Sequence, residues 1–192
     1  MNKTTNILIA GVGGQGTVLT AGVLSDILIS EGYDIKVSEI HGMSQRGGSV
    51  VTQVRYGEKV WSPIIEPGTA DVIIGFELME TVRAIPYLKK GGTVISNCRE
   101  INPMPVVMGK ESYPADLEQY LKGLDANVNI IDGYAKALAA GNPKCLNMVL
   151  LGAWAKKAGF APELCLKSVE ALVPPKFLEV NIKGFRQGYD AL

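Results

Sequence analysis

Short apolar runs alternate with longer, mostly apolar segments through the first two thirds of the chain. The runs at residues 6–10, 71–76, 93–97 and 127–131 have the length and composition of buried strands, and 34–40 resembles a second strand in chain order. The segments 18–30, 78–90 and 115–124 have the length and pattern of helices that cover a sheet. Alternation at this spacing predicts a parallel β-sheet with helices packed on it.

The alternation is interrupted after the second predicted strand, where a helix is expected and a glycine-containing loop stands instead. Residues 49–55 then favour extended structure because valine recurs there, and a Tyr56-Gly57-Glu58 turn leads into a second extended segment at 59–65. The pattern predicts an inserted β-hairpin near 49–65, which Pro67 and Gly68 close before the chain returns to the sheet.

Beyond residue 133 the pattern contains only helices, predicted at 134–140, 144–158, 162–173 and 175–189. The fold class predicted is α/β: a Rossmann-like, open and mostly parallel sheet with an inserted β-hairpin and a C-terminal helical layer. The 192 residues of the chain suit one domain, with an α/β core at 1–132 and a helical extension packed on it at 133–192.

Charge and composition narrow the classes of partner. Lys plus Arg and Asp plus Glu both number 19, and no basic run stands out, so neither nucleic acid nor a membrane surface is expected as a partner. No segment has the length of a membrane span or of a signal-peptide core. Cys98, Cys145 and Cys165 are widely spaced beside a single histidine, which predicts no zinc site or iron-sulfur cluster and indicates buried thiols in a reducing cytoplasm.

A glycine loop comes after the first predicted strand and opens the first predicted helix. It contains Gly11, Gly13, Gly14, Gln15 and Gly16. In this context the glycines allow a tight turn, and the free N–H groups at the helix start attract an anion such as a phosphate. Gln15 offers a further amide to such a ligand. Such turns also join strand to helix without a ligand, or receive a partner's backbone, and that alternative stays open.

The segment 39–48 lies where a dinucleotide-binding fold contacts its ribose, and Glu39 has the spacing of the ribose-binding acid. The residues after Glu39 are unusual for that fold. The candidate residues of this loop, at a ligand or subunit interface, are Glu39, His41, Ser44, Arg46, Gly47 and Gly48. Arginine offers a planar fork of donors to a carboxylate or phosphate, and the adjacent glycines leave room for an incoming group.

Two of these residues and one distant glutamate keep alternative interpretations. His41 is either a structural histidine held by a backbone group or by Glu39, or a residue that transfers a proton. Arg46 contacts a ligand or subunit, or it is a surface arginine, or it forms an internal salt bridge to Glu39 or Glu77. Glu77 ends a predicted strand at the crevice where open α/β sheets bind ligands, although packing alone would also explain it. No residue is assigned a catalytic role.

Four landmarks together resemble a known family along nearly the whole chain. They are Gly11 to Gly16, the segment Glu39-Ile-His-Gly-Met-Ser-Gln-Arg-Gly-Gly48, the stretch from Ala70 to Glu77 with its helix, and the C-terminal group Asn181, Gly184-Phe185 and Gly188-Tyr189. They resemble the gamma-type subunits of the 2-oxoacid:ferredoxin oxidoreductases, and the indolepyruvate branch more than the pyruvate branch.

The resemblance implies membership of a complex that oxidatively decarboxylates indolepyruvate or another aryl pyruvate to an aryl-acetyl-CoA and reduces ferredoxin. It also implies that thiamine diphosphate, Mg and 4Fe-4S clusters reside in a large alpha-type partner subunit, with coenzyme A possible at the interface. The residues of this chain fit that division of cofactors, because no cluster cysteines and no Gly-Asp-Gly diphosphate motif are present. The alternatives are a free-standing NAD(P)- or flavin-dependent oxidoreductase and a non-enzymatic ligand-binding or assembly module.

Overall fold

A computed structural model describes residues 4–42 and 47–192. Its strands are β1 (Thr5–Val12), β2 (Asp34–His41), β3 (Ser49–Gly57), β4 (Ala70–Gly75), β5 (Leu88–Asn97) and β6 (Asn127–Ile131). Its helices are α1 (Thr17–Ser30), α2 (Leu78–Ala84), α3 (Met104–Val107), α4 (Leu117–Lys122), α5 (Gly133–Ala140), α6 (Leu146–Ala158), α7 (Pro162–Leu172) and α8 (Pro175–Tyr189). In the described ranges, no helix has both the length and the apolar character needed to cross a membrane.

The six strands form one sheet in the order β2-β3-β1-β4-β5-β6. Strand β3 runs antiparallel to both its neighbours, and the pairs β1–β4, β4–β5 and β5–β6 are parallel. Ile7, Leu8 and Ile9 on β1, like Ile73 and Ile74 on β4, are fully buried on both faces, as the central strands of such a sheet require. The predicted α/β class with a mostly parallel sheet is confirmed.

The predicted hairpin at 49–65 is wrong in its second strand. Strand β3 forms, but it pairs with β2 and β1, and the segment 58–69 crosses the sheet face without strand structure. Arg55 Nη1 donates to the carbonyls of Ser62 and Ile64 at 2.9 and 3.0 Å. The Ile65 N–H donates to Gln53 Oε1 at 2.6 Å. Side chains of β3 therefore bond the backbone of this segment. The segment does not form a strand because its prolines lack the N–H groups that would pair with a neighbouring strand.

Helix α2 is also shorter than the predicted helix at 78–90. It ends at Ala84 and continues as a 3₁₀ turn over Ile85–Tyr87, after which β5 already begins at Leu88. Pro86 explains the early end, because proline lacks an N–H donor and restricts the residue before it. Helix α4 is likewise confined to Leu117–Lys122, within the predicted range 115–124.

The C-terminal helical layer is present and packs with α1 against one face of the sheet. Helix α6 is buried from Leu146 to Ala155, and α8 crosses it in close contact. A β-carbon built on Gly188 would lie 1.8 Å from the Val149 carbonyl oxygen, and one on Gly152 would lie 2.0 Å from that of Phe185. The two backbones therefore touch at these glycines, and this contact fixes where α6 begins relative to the sheet.

The α6–α8 contact gives a stability prediction. Gly188→Ala should lower the free energy of unfolding by about 3 kcal/mol or more, because the added methyl meets backbone atoms. Gly22→Ala is the matched control within a helix: nothing lies within 4 Å of its β-carbon position, so alanine should raise stability by roughly 0.5–1 kcal/mol. Denaturant unfolding of both variants tests this, and equal effects would contradict the packing described.

Candidate functional site

The glycine loop connects β1 to the first turn of α1. Gly14 and Gly16 have φ of 96° and 85°, a backbone region that glycine adopts without strain. Gly16 is the N-cap of α1 and no side chain caps the helix, so the first-turn N–H groups have no side-chain acceptor. A helix start of this kind favours an anion.

Two groups of the loop expected at a ligand form hydrogen bonds within the protein. Gln15 Oε1 accepts from the Val12 N–H at 2.7 Å, and Gln15 Nε2 donates to the Phe76 carbonyl at 3.2 Å. The Gly13 N–H donates to the Gly48 carbonyl at 2.8 Å. Gln15 therefore shapes the loop, and the part that can face a ligand is Gly14, Gln15, Gly16 and the start of α1.

A cavity of about 620 Å³ opens beside this part of the loop. Its wall includes Arg99 and Lys144, both exposed, so positive charge faces the same space as the helix start. The Arg99 guanidinium lies 4.5 Å from the ring centroid of Tyr134, a stacked position that orients the cation. The arrangement suits an elongated anionic ligand.

Asn147, near the start of α6, is the residue that most favours a ligand in this cavity. Its side chain is 3% exposed, lines the cavity and lies against Gly16, where a β-carbon would be 3.1 Å from its Nδ2. Among the described residues its Oδ1 has no hydrogen-bond partner. Buried polar atoms are nearly always paired, so this Oδ1 is, within the described ranges, an acceptor without a donor beside Gly16.

Four residues of the cavity wall were not predicted from the sequence as site residues: Arg99, Tyr134, Lys144 and Asn147. Two signals were present: Arg99 comes shortly after the carboxyl end of a parallel strand, where open α/β sheets bind ligands, and Asn147 is a polar residue inside an apolar helix. Neither signal identifies a cavity without the packing of the C-terminal helices.

A second crevice, of about 440 Å³, lies on the other side of the glycine loop and does contain predicted residues. Glu39 and His41 line it together with Gly13 and Gly14. Glu39 pairs with Thr52 of β3, which in turn pairs with Ile9 of β1. Glu39 is thus two strand spacings, roughly 10 Å, from β1, whereas the ribose-binding acid of a dinucleotide fold ends the strand directly beside β1.

The structure describes only some of the other predicted residues of the 39–48 loop. His41 is exposed, and its Nδ1 lies 3.2 Å from the Gly42 carbonyl, which leaves Nε2 as the acceptor in the neutral ring. Gly47 has a φ of 79°, and Ser49, just beyond the loop, donates to Glu80 Oε2 at 2.5 Å. Ser44 and Arg46, with the predicted salt bridge of Arg46, lie outside the described residues.

Glu77 lies in neither of these two cavities. It is 1% exposed and caps α2, with the Glu80 N–H donating to Oε2 at 2.9 Å. Oε1 accepts from the Ile101 N–H at 3.0 Å and from the Tyr113 hydroxyl. Burial, and then the hydrogen bond to Glu77, raise the pKa of Tyr113, which stays a donor. The carboxylate is therefore a structural acceptor inside the protein.

The cysteines do not fit a metal cluster. Burial raises the pKa of Cys98, Cys145 and Cys165, the last to about 11, which disfavours the thiolate that binds a metal. Within 4–42 and 47–192, no three His, Cys, Asp or Glu side chains gather in a metal-binding group.

Comparison with known proteins places this chain in a family. The family described as pyruvate ferredoxin/flavodoxin oxidoreductase matches residues 6–191. Indolepyruvate oxidoreductase subunit IorB of Pyrococcus horikoshii is 42% identical over 195 residues, covering 98% of this chain and 96% of the relative.

Solved structures share the fold at lower identity. The gamma subunit of a keto/oxoacid ferredoxin oxidoreductase from Geobacter sulfurreducens has a TM-score of 0.75 at 23% identity, covering 97% of both chains. A 2-oxoglutarate:ferredoxin oxidoreductase from Magnetococcus marinus, solved with 2-oxoglutarate, coenzyme A and succinyl-CoA bound, has a TM-score of 0.75 at 17% identity, covering 100% of this chain and 31% of that one. With the family match over nearly its full length, this chain belongs to the pyruvate ferredoxin/flavodoxin oxidoreductase family.

Proposed function

We propose that this chain is the gamma-type subunit of an indolepyruvate:ferredoxin oxidoreductase. The complex would oxidatively decarboxylate indolepyruvate or a related aryl pyruvate, form the aryl-acetyl-CoA and pass the electrons to ferredoxin. The observation that carries the proposal is the 42% identity to an indolepyruvate oxidoreductase subunit over nearly the full length of both chains.

The chemistry divides between this chain and a large partner subunit. Thiamine diphosphate supplies carbanion stabilisation and 4Fe-4S clusters carry single electrons, and the raised pKa values of the thiols here disfavour cluster ligation by this chain. The partner would therefore hold thiamine diphosphate, Mg and the clusters. In the Magnetococcus marinus enzyme, the matched fold is 31% of one longer chain, which is consistent with a domain that works beside a larger part.

Coenzyme A is the ligand that best suits the cavity beside the glycine loop. It carries a diphosphate and a separate 3′-phosphate, and the cavity presents Gly16 and Leu19 at the start of α1 as well as Arg99 and Lys144. Asn147 would bond the ligand beside Gly16 and so fix its position along the loop. In this proposal the chain binds and orients coenzyme A, while the acyl group forms on the partner.

Assembly is the first test. Co-expression with a large thiamine and iron-sulfur subunit should yield a stable complex that reduces ferredoxin with indolepyruvate and coenzyme A. Omitting this chain should abolish acyl-CoA formation, because the proposed coenzyme A site is then missing. A complex that does not form, or a large subunit equally active alone, would contradict the proposal.

Asn147→Leu tests the coenzyme A site within the assembled complex. We expect its affinity for coenzyme A to fall about tenfold, because one hydrogen-bonding side chain of the site is lost. Its stability should hold or rise, because an unpaired buried polar group is replaced by an apolar one of similar size.

Thr52→Val is the matched control for Asn147→Leu. Thr52 Oγ1 is another buried atom without a partner among the described residues, and Thr52 lines neither cavity. Calorimetric titration of coenzyme A should give the wild-type affinity for this variant. Equal affinities for both variants would remove Asn147 from the site.

A further inference from the structure

Glu77 is a buried carboxylate whose bonds connect two parts of the site region. It is 1% exposed, and within the described ranges no lysine, arginine or histidine forms a salt bridge with it. Burying an unpaired charge is costly unless hydrogen bonds replace its water. The three donors on Glu77 supply those bonds, and they come from two different segments.

One oxygen of Glu77 holds the start of α2, and the other holds the segment after β5. Oε2 accepts from the Glu80 N–H at 2.9 Å in the manner of a helix cap. Oε1 accepts from the Ile101 N–H at 3.0 Å and from the Tyr113 hydroxyl, which also accepts from the Met79 N–H at 3.2 Å. Glutamine in place of Glu77 would put an NH₂ group, itself a donor, opposite one of these donors, and that hydrogen bond would be lost.

Arg99 lies two residues before Ile101, whose N–H donates to Glu77. The Arg99 carbonyl accepts from the N–H of Leu78, the neighbour of Glu77, at 3.0 Å. On its other side, the Cys98 N–H donates to the Ile131 carbonyl at 3.0 Å. The backbone of Arg99 is thereby fixed between α2 and the end of β6, and its guanidinium reaches Tyr134 on the cavity wall.

We propose that Glu77 is a positioning residue that acts through Arg99. By tying Ile101, two residues after Arg99, to the start of α2, it keeps the guanidinium over Tyr134, where it meets an anionic group of the bound ligand. The inference rests on the proposed function in one respect, which is that the ligand is coenzyme A. Glu77 itself touches no ligand.

A double-mutant cycle in the assembled complex tests this mechanism, with Glu77→Gln, Arg99→Ala and the double variant. Arg99→Ala should raise the KM for coenzyme A roughly five- to tenfold with kcat unchanged, because a charge-assisted contact to phosphate is lost. Glu77→Gln should raise the same KM several-fold. The double variant should match Arg99→Ala alone, since Glu77 acts only through that side chain.

Tyr113→Phe is the milder second variant. It removes one donor to Glu77 and leaves the carboxylate, so it gives the same test if Glu77→Gln prevents assembly. It should raise the KM for coenzyme A in the wild-type background and leave it unchanged in the Arg99→Ala background. Lys110→Ala, an exposed cation outside the cavity lining, should leave the KM unchanged and controls for loss of charge alone.

Two results would overturn the positioning role. One is a change in the KM for coenzyme A, caused by Glu77→Gln or by Tyr113→Phe, that has the same size whether residue 99 is arginine or alanine. The other is an unchanged KM for coenzyme A in Arg99→Ala. Both would be measured in a complex that still reduces ferredoxin, so they are distinct from failure of the proposed function, which an inactive wild-type complex would reveal.

Discussion

The antiparallel strand β3, inserted between β1 and β2, is the constraint on which the ligand-facing edge of this protein depends. It pairs along the full length of both neighbours and separates Glu39 from the strand that bears the glycine loop. It also begins directly after Gly48, whose carbonyl accepts the Gly13 N–H. The same insertion therefore removes the ribose contact of a dinucleotide fold and holds Gly48 against the glycine loop.

The C-terminal helices form part of the wall of the cavity beside the glycine loop. Gly152 and Gly188 let α6 and α8 touch, and at its start α6 places Asn147 against Gly16. Arg99 arrives from the carboxyl end of β5, where the Glu77 network holds its backbone. The cavity thus joins two sources of attraction for an anion: the start of α1 and the cation of Arg99.

The sequence predicted helices and strands well where neighbouring residues alone determine them. Strand β6 and helix α8 have the predicted bounds, since apolar runs and flanking Gly or Pro residues mark them. The pairing of β3 was missed because residues 59–65 have the composition of a strand, and only the bonds from Arg55 and Gln53 show that they cross the sheet face.

The site was less predictable, because its contacts join residues far apart in the chain. Gln15 bonds Phe76, Glu77 bonds Tyr113, and Asn147 meets Gly16, and no short motif encodes these pairs. The glycine loop itself was located correctly between β1 and α1. The amide of Gln15, predicted to face a ligand, lines the cavity and also bonds the backbone of its own loop, so its contact with a ligand stays a prediction.

The most direct test is a structure of the reconstituted complex with coenzyme A bound. We expect phosphate groups of the ligand against Gly14 and Gly16, a hydrogen bond from an N–H or O–H of the ligand to Asn147 Oδ1, and the Arg99 guanidinium over Tyr134 in contact with an anionic oxygen. Coenzyme A held entirely by the large subunit, with this cavity empty, would contradict this expectation.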